Sequence, residues 1–248
     1  MSGRVGPQSA EGSKMRPGLG RNLTYGLLDA VGRSIVIGDY DHKPFPTEAE
    51  LARLHGVSRS VTREAVKMLT AKGLLSARPR QGTIVQPSAA WNLFDSDVLA
   101  WLLERKFSIE LLRHFNELRV AIEPEAAALA AARATPDDIA AISAGLGRMR
   151  AAEAGSDDPL DADIAFHVAV LEASRNPFYQ QFRDAVGSAL NTSIRFTNRI
   201  KGRSASIADH AAVRDRIVAG DVDGARSAMR RIIGDVLTLI DNAPDAAV

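Results

Sequence analysis

The stretch FPTEAELARLHGVSRSVTREAVKMLTAKGLL, residues 45–75, constrains the fold of this chain more than any other. Thr47 followed by Glu50 is the capping-box pattern, in which each residue satisfies a backbone N–H of the other, and it predicts a short helix from about Glu48 to Leu54. Gly56 permits a tight turn. Ser58 then caps a second helix, whose inward residues Val61, Ala65, Val66 and Leu69 carry it to Ala71, where Lys72 and Gly73 end it. Two short helices joined by a glycine-containing turn make a helix-turn-helix. Leu27, Leu28, Val31 and Ile35 predict a preceding helix over Leu23–Ile37, stopped by Gly38. After the motif, Leu74–Ala77 and Thr83–Gln86 can pair as strands around RPRQG, a small wing with a basic tip.

A helix-turn-helix offers the first turns of its second helix to the edges of bases in a DNA groove. Those turns read SRSVTRE, and helical spacing sets Ser58, Arg59, Ser60, Thr62 and Arg63 outward while Val61 and Ala65 point in. Arg59 and Arg63 are guanidiniums able to fork onto guanine or phosphate, and Arg78 and Arg80 in the wing could reach the backbone. The net charge of +1 says nothing about such a partner, but its distribution does. Residues 1–90 hold 13 Lys/Arg against 7 Asp/Glu, whereas residues 91–248 hold 18 against 23. A basic front thus precedes an acidic back.

From Trp91 onward no strand signal of comparable strength occurs. Helical periods recur over Val98–Leu103, Ile109–Ala132, Pro136–Met149, Ala162–Ala173, Phe178–Ile200, Ile207–Val218 and Ala225–Ile240, with a kink or break expected at Pro124. The expected fold class is therefore mainly α: an N-terminal winged helix-turn-helix and a C-terminal all-helical bundle of six or seven helices. In DIAFHVAV, Asp163 and His167 stand four apart on one helix side, within an apolar run. Such a pair is either half of a metal site or a core histidine hydrogen-bonded by its neighbouring carboxylate. Arg119 lies one turn from Phe115 and Ile122 and so faces inward; a buried arginine needs an anion, either Glu123 or the carboxylate of a ligand. Trp91 and Trp101 are expected to pack the domain junction.

PTEAELARLHGVSRSVTREAVKMLTAKGLL followed by RPRQGTIV resembles the DNA-binding domain of GntR-family transcription regulators over about residues 22–87. That resemblance implies operator contacts from Ser58, Arg59, Ser60 and Arg63. Two departures bear on base preference: Ala49 stands where an arginine is frequent, and Arg80 replaces a wing glycine. ELRVAIEPEAAALAA, DADIAFHVAVLEASRNP and DHAAVRDRIVAGDVDGARSAM are similar to the ligand-sensing FCD domain of the FadR subgroup, over about residues 91–240. In many such domains an aspartate and three histidines hold a divalent cation. Asp163, His167 and His210 match; the fourth position falls at Ile232, on the apolar face with Met229, Ile233, Val236 and Ile240. The resemblance therefore implies an effector site at Asp163, His167 and His210, with or without one divalent metal, zinc foremost, and the inward-facing Arg119 is expected to join that effector site. WNLFDSDVLAWLLE resembles the linker and first sensing helix of galactonate-type repressors, which implies a sugar-acid effector such as an aldonate. The implied assembly is a homodimer on a pseudo-palindromic operator in double-stranded DNA.

The expected division is a flexible tail at 1–20, a winged domain at 21–88, a helical effector-binding domain at 89–242 and a short tail at 243–248. With no cysteine in the chain, disulfides, thiolate metal sites and cysteine nucleophiles are excluded. No apolar run approaches the roughly 18 residues that span a bilayer, and the N-terminus lacks the apolar core of a signal peptide, so the expectation is a cytoplasmic protein with no membrane partner. A metal-dependent hydrolase or lyase built on the Asp-His-His cluster is the competing expectation, though it leaves the helix-turn-helix unexplained and offers no convincing general base. The expectation is a regulator and not an enzyme.

Overall fold

The computed structural model describes residues 17–79, 82–104, 108–191 and 206–242, and the chain divides into two compact units at 92/93. The first contains helices α1 (Pro17–Ile37), α2 (Glu48–His55) and α3 (Arg59–Ala71), strands β1 (Leu75–Arg78) and β2 (Gly82–Val85), and a short 3-10 turn at Ser88–Ala90. Each boundary has a local cause. Thr47 N–H donates to Glu50 Oε2 at 2.8 Å while Glu50 N–H donates to Thr47 Oγ1 at 3.3 Å, the reciprocal cap that starts α2. Gly56 ends it in the left-handed region at φ 63°, and Ser58 accepts from Val61 N–H to start α3.

Leu28, Ile35, Leu51, Val61, Leu69, Leu74 and Leu75 fill the interior of this unit, where α3 packs on α1 and α2 and leads into β1. The strands pair antiparallel from Leu75 opposite Val85 to Arg78 opposite Gly82, which makes the expected wing. At Gly73 (φ 79°) an added Cβ would fall 2.2 Å from the carbonyl oxygen of Ala90, so the chain leaving the wing passes where only glycine fits. The Trp91 indole N–H donates to Gln86 O at 2.9 Å, and Asn92 N–H donates to Lys72 O at 2.9 Å. Residues 88–92 are thereby tied to the wing.

The second unit is helical throughout its described residues: α4 (Ser96–Glu104), α5 (Ile109–Arg133), α6 (Pro136–Glu153), α7 (Pro159–Ala173), the single turn α8 (Pro177–Gln180), α9 over 183–191, α10 (Ile207–Val218) and α11 (Val222–Asp241). Helix α5 packs along α11 and α7, α6 lies on α7, and α10 contacts α11, α6 and α5. Their shared core holds Ile142, Leu146, Phe166, Val170, Val213, Met229 and Ile233, and Trp101 is buried in α4. An added Cβ on Gly145 would lie 2.8 Å from Phe166 Cα, so α6 and α7 approach almost backbone to backbone.

Two expectations are corrected here. Of the kink or break expected at Pro124, the break does not occur: helix α5 continues through it, with Pro124 buried on the packed face, where tertiary contacts offset one missing hydrogen bond. The single helix expected over Phe178–Ile200 is interrupted at 181–182. Asn176 caps a one-turn helix, and the i→i+3 bonds from Gln181 N–H to Phe178 O and Phe182 N–H to Tyr179 O tighten the turn. Tyr179 and Phe182 are thereby set against the cluster of Leu171, Val186 and Leu190. Among the described residues no helix is long and apolar enough to cross a membrane. Of the tail expected at 1–20, residues 17–20 instead open α1, which begins before the expected Leu23, and the rest lies outside the described residues, as does the tail expected at 243–248.

Candidate DNA-binding face and buried polar cluster

Of the residues expected to face DNA, Arg59, Ser60 and Arg63 on α3 are exposed, as is Ser58 at the cap. The Ser58 hydroxyl is engaged by Val61 N–H and lies 2.9 Å from Ser60 Oγ, so it anchors the helix start as well as standing on the open face. Arg63 Nε sits 3.6 Å from Glu48 Oε2 with most of its side chain in solvent, a loose contact of small energetic weight. Arg78 is exposed at the end of β1, and Arg80 lies outside the described residues. Thr62, expected outward, is fully buried. Its hydroxyl donates to Ser58 O at 3.2 Å, which satisfies the polar atom within its own helix and lets the methyl join the inward stripe of Val61, Ala65 and Val66.

In the second unit the buried polar side chains gather at one place, apart from Ser174, whose hydroxyl donates to Leu171 O. Asn116, Arg119 and Glu123 lie at offsets of three and four along α5, Asp163 and His167 at an offset of four along α7, and His210 enters from α10. Arg119 Nε donates to Glu123 Oε1 at 2.6 Å, and Arg119 Nη1 donates to Asn116 Oδ1 at 3.3 Å. Of the two partners open for Arg119, the internal carboxylate is therefore in place. The guanidinium is only partly used, since Nη2 is buried with no partner among the described residues.

The imidazoles are fixed by what lies behind them. His210 Nδ1 is 2.7 Å from Ser206 O, and because a carbonyl can only accept, Nδ1 carries the proton. His167 Nδ1 faces Glu123 Oε2. Burial would raise the Glu123 carboxyl, but the charges of Arg119 and His167 and their hydrogen bonds outweigh it and hold it at about 2; an ionised carboxylate again forces the proton onto Nδ1. Where the rings are neutral, each then turns a bare Nε2 inward, the two lying 3.3 Å apart. Asp163 Oδ1 lies 3.0 Å from His210 Nε2 and 3.8 Å from His167 Nε2, yet it is buried without a hydrogen bond directed at it. Burial pushes the Asp163 carboxyl up, but His210, His167 and Arg119 together keep it below the usual carboxylate range, so it too is an anion. Phe166 presses against both rings in edge-to-face contacts at 5.7 and 5.0 Å and limits their rotation.

Two imidazole lone pairs and a carboxylate oxygen thus converge, all within 4.8 Å of one another, with no proton between them in the neutral-ring state. Such a set is repulsive unless a cation joins it, and its N, N, O donors suit zinc and other borderline divalent ions. The residues fit a metal, and the outer groups Glu123 and Ser206 O are the partners that ligating histidines require. Ile232 packs against the apolar core and supplies no fourth donor. The dual role of Glu123 was missed by sequence reasoning, which weighed it only as a counter-ion for Arg119. The i, i+4 spacing of Glu123 after Arg119 was legible, but its contact with His167, 44 residues away, was not.

Comparison with known proteins agrees with both units. Residues 29–85 match the model of bacterial regulatory proteins of the gntR family, and residues 115–235 match the FCD domain. The chain is 35% identical over 217 residues to the galactonate operon transcriptional repressor of Escherichia coli K12, covering 86% of this chain and 94% of that one. It is 33% identical over 216 residues to the transcriptional regulator YieP of the same organism, covering 86% and 93%. A solved structure of Lar, which controls expression of the Listeria monocytogenes agr system, shares the fold with a TM-score of 0.52 at 18% identity, covering 94% of this chain and all of that one. The hydrolase or lyase alternative finds no support among these relatives, and the Glu123 carboxylate behind His167 has both oxygens engaged. The chain belongs to the GntR family of bacterial regulatory proteins, as an FCD-containing transcriptional regulator and not an enzyme.

Proposed function

We propose that this regulator represses genes of sugar-acid catabolism and is released from its operator by a small carboxylate such as an aldonate. In this reading a cytoplasmic homodimer sets two α3 helices on a pseudo-palindromic operator, with Ser58, Arg59, Ser60 and Arg63 at base edges and phosphates and Arg78 and Arg80 at the backbone. Thr62 leaves that set, being buried. The effector is recognised beside Arg119, Asp163, His167 and His210. One observation carries the reading: a buried guanidinium nitrogen and a buried carboxylate oxygen, both without a hydrogen bond among the described residues, belong to the same polar cluster. An anion satisfies the first and a cation the second. Asp163, His167 and His210 would hold a divalent metal, zinc foremost, which when bound supplies a Lewis-acid anchor for carboxylate or hydroxyl oxygens. Arg119 Nη2 offers the second anchor for the acid, and the identity with a galactonate operon repressor supports the choice of sugar acids for the effector.

Release of DNA requires the effector to favour one arrangement of the regulator over another, typically by about 1–3 kcal/mol. The test is a gel-shift titration of the upstream DNA with galactonate and related aldonates, with and without added zinc, on wild type and His167→Ala. Release of the wild type by an aldonate, with His167→Ala still bound to DNA but insensitive, is the expected result. An unchanged response in His167→Ala removes the proposed pocket.

A further inference from the structure

We propose that Glu123 is a positioning residue that fixes the His167 ring as a ligand, so that the metal affinity of the cluster is set from α5 although no ligand atom comes from α5. This rests on the metal reading above. The side chains form one chain of contacts: Asn116 Nδ2 donates to Leu112 O at 2.8 Å, Asn116 Oδ1 accepts from Arg119, Arg119 Nε donates to Glu123 Oε1, and Glu123 Oε2 accepts from His167 Nδ1. The Glu123 carboxylate is held by a donor on each oxygen, and Arg119 and Glu123 are almost wholly buried, so neither can exchange its partner for water.

The two histidines differ in how their tautomers are set. His210 is fixed by the carbonyl of Ser206, a backbone atom that no substitution changes. His167 is fixed by a side chain alone. A carboxylate behind a ring also makes its far nitrogen a stronger donor than a carbonyl does, which singles out His167 as the ligand whose strength depends on a neighbour. Glu123→Gln is the informative change because it keeps the shape while altering which atoms can accept. Arg119 Nε requires the amide oxygen, which turns the amide NH2 toward His167 Nδ1; that nitrogen must then accept, and the ring proton moves to Nε2, into the space shared with Asp163 and His210.

Zinc affinity is measured by chelator competition on the full chain, wild type against Glu123→Gln, with circular dichroism to follow folding. The expected result is measurable zinc binding by the wild type and a loss of about 10- to 100-fold in the variant, the range known for outer partners of ligating histidines. Equal affinity in a folded variant overturns the role of Glu123 while leaving the metal reading intact. No zinc binding by the wild type overturns the metal reading, and this inference with it. Should Glu123→Gln fail to fold, multiple-bond 1H–15N spectra of the zinc-free wild type at pH 8 decide: a proton on His167 Nδ1 with Nε2 bare supports the role, and a proton on Nε2 overturns it.

Discussion

The two units of this regulator handle polar side chains in opposite ways. In the winged unit the candidate binding groups stand in solvent on α3 and β1, and the single buried polar residue among those described is Thr62, which is satisfied within its own helix. In the helical unit Asn116, Arg119, Glu123, Asp163, His167 and His210 are all buried and mutually engaged, with two atoms left over. A long, exposed arginine suits a partner that brings its own dense charge, because little desolvation precedes contact and phosphates can be met by adjustment. A small ligand brings few atoms, so the protein must hold its groups in place beforehand and accept the desolvation that burial entails.

That contrast can be broken most severely at Arg119. Removing its guanidinium leaves Glu123 charged and buried with one partner fewer, and Arg119→Ala is expected to destabilise the helical unit by about 3–5 kcal/mol in a urea unfolding titration. A change within about 0.5 kcal/mol, as at an ordinary surface site, would mean that the cluster is not the tight network described. At Arg63 the opposite pattern is expected. Arg63→Ala weakens operator binding by about 1–3 kcal/mol in a fluorescence-anisotropy titration, while the thermal midpoint moves only slightly. A collapsed fold would assign Arg63 a structural task. The smallest effect sharpens the face itself: Thr62→Val leaves operator affinity unchanged and costs less than about 1 kcal/mol of stability, because Ser58 O still accepts from the Thr62 backbone N–H. Weakened DNA binding by this variant would restore Thr62 to the contact set.

The winged unit was legible almost residue by residue because its signals are local. Thr47 with Glu50, Gly56, Ser58 and the basic RPRQG turn each act within four residues of chain. The misplacement of Thr62 there came from treating a hydroxyl as a reason to face water when a carbonyl four residues earlier can serve it. In the helical unit, helix positions and the Asp163–His167 pair could be read from spacing. What joins them could not. The proton on His210 is fixed by a backbone carbonyl, and the proton on His167 by a carboxylate 44 residues away; neither has a sequence signature. Continuity through Pro124 and the break at 181–182 likewise follow from tertiary packing rather than local preference.

The division of labour is tested most directly by the affinity of the full chain for the DNA upstream of its own gene, against random DNA of equal length, over a range of salt concentrations. The account predicts a preference of at least about a thousandfold near physiological salt. It also predicts affinity that falls steeply as salt rises, since arginines meet phosphates. Equal affinity for the two DNAs, or binding that ignores salt, would contradict it.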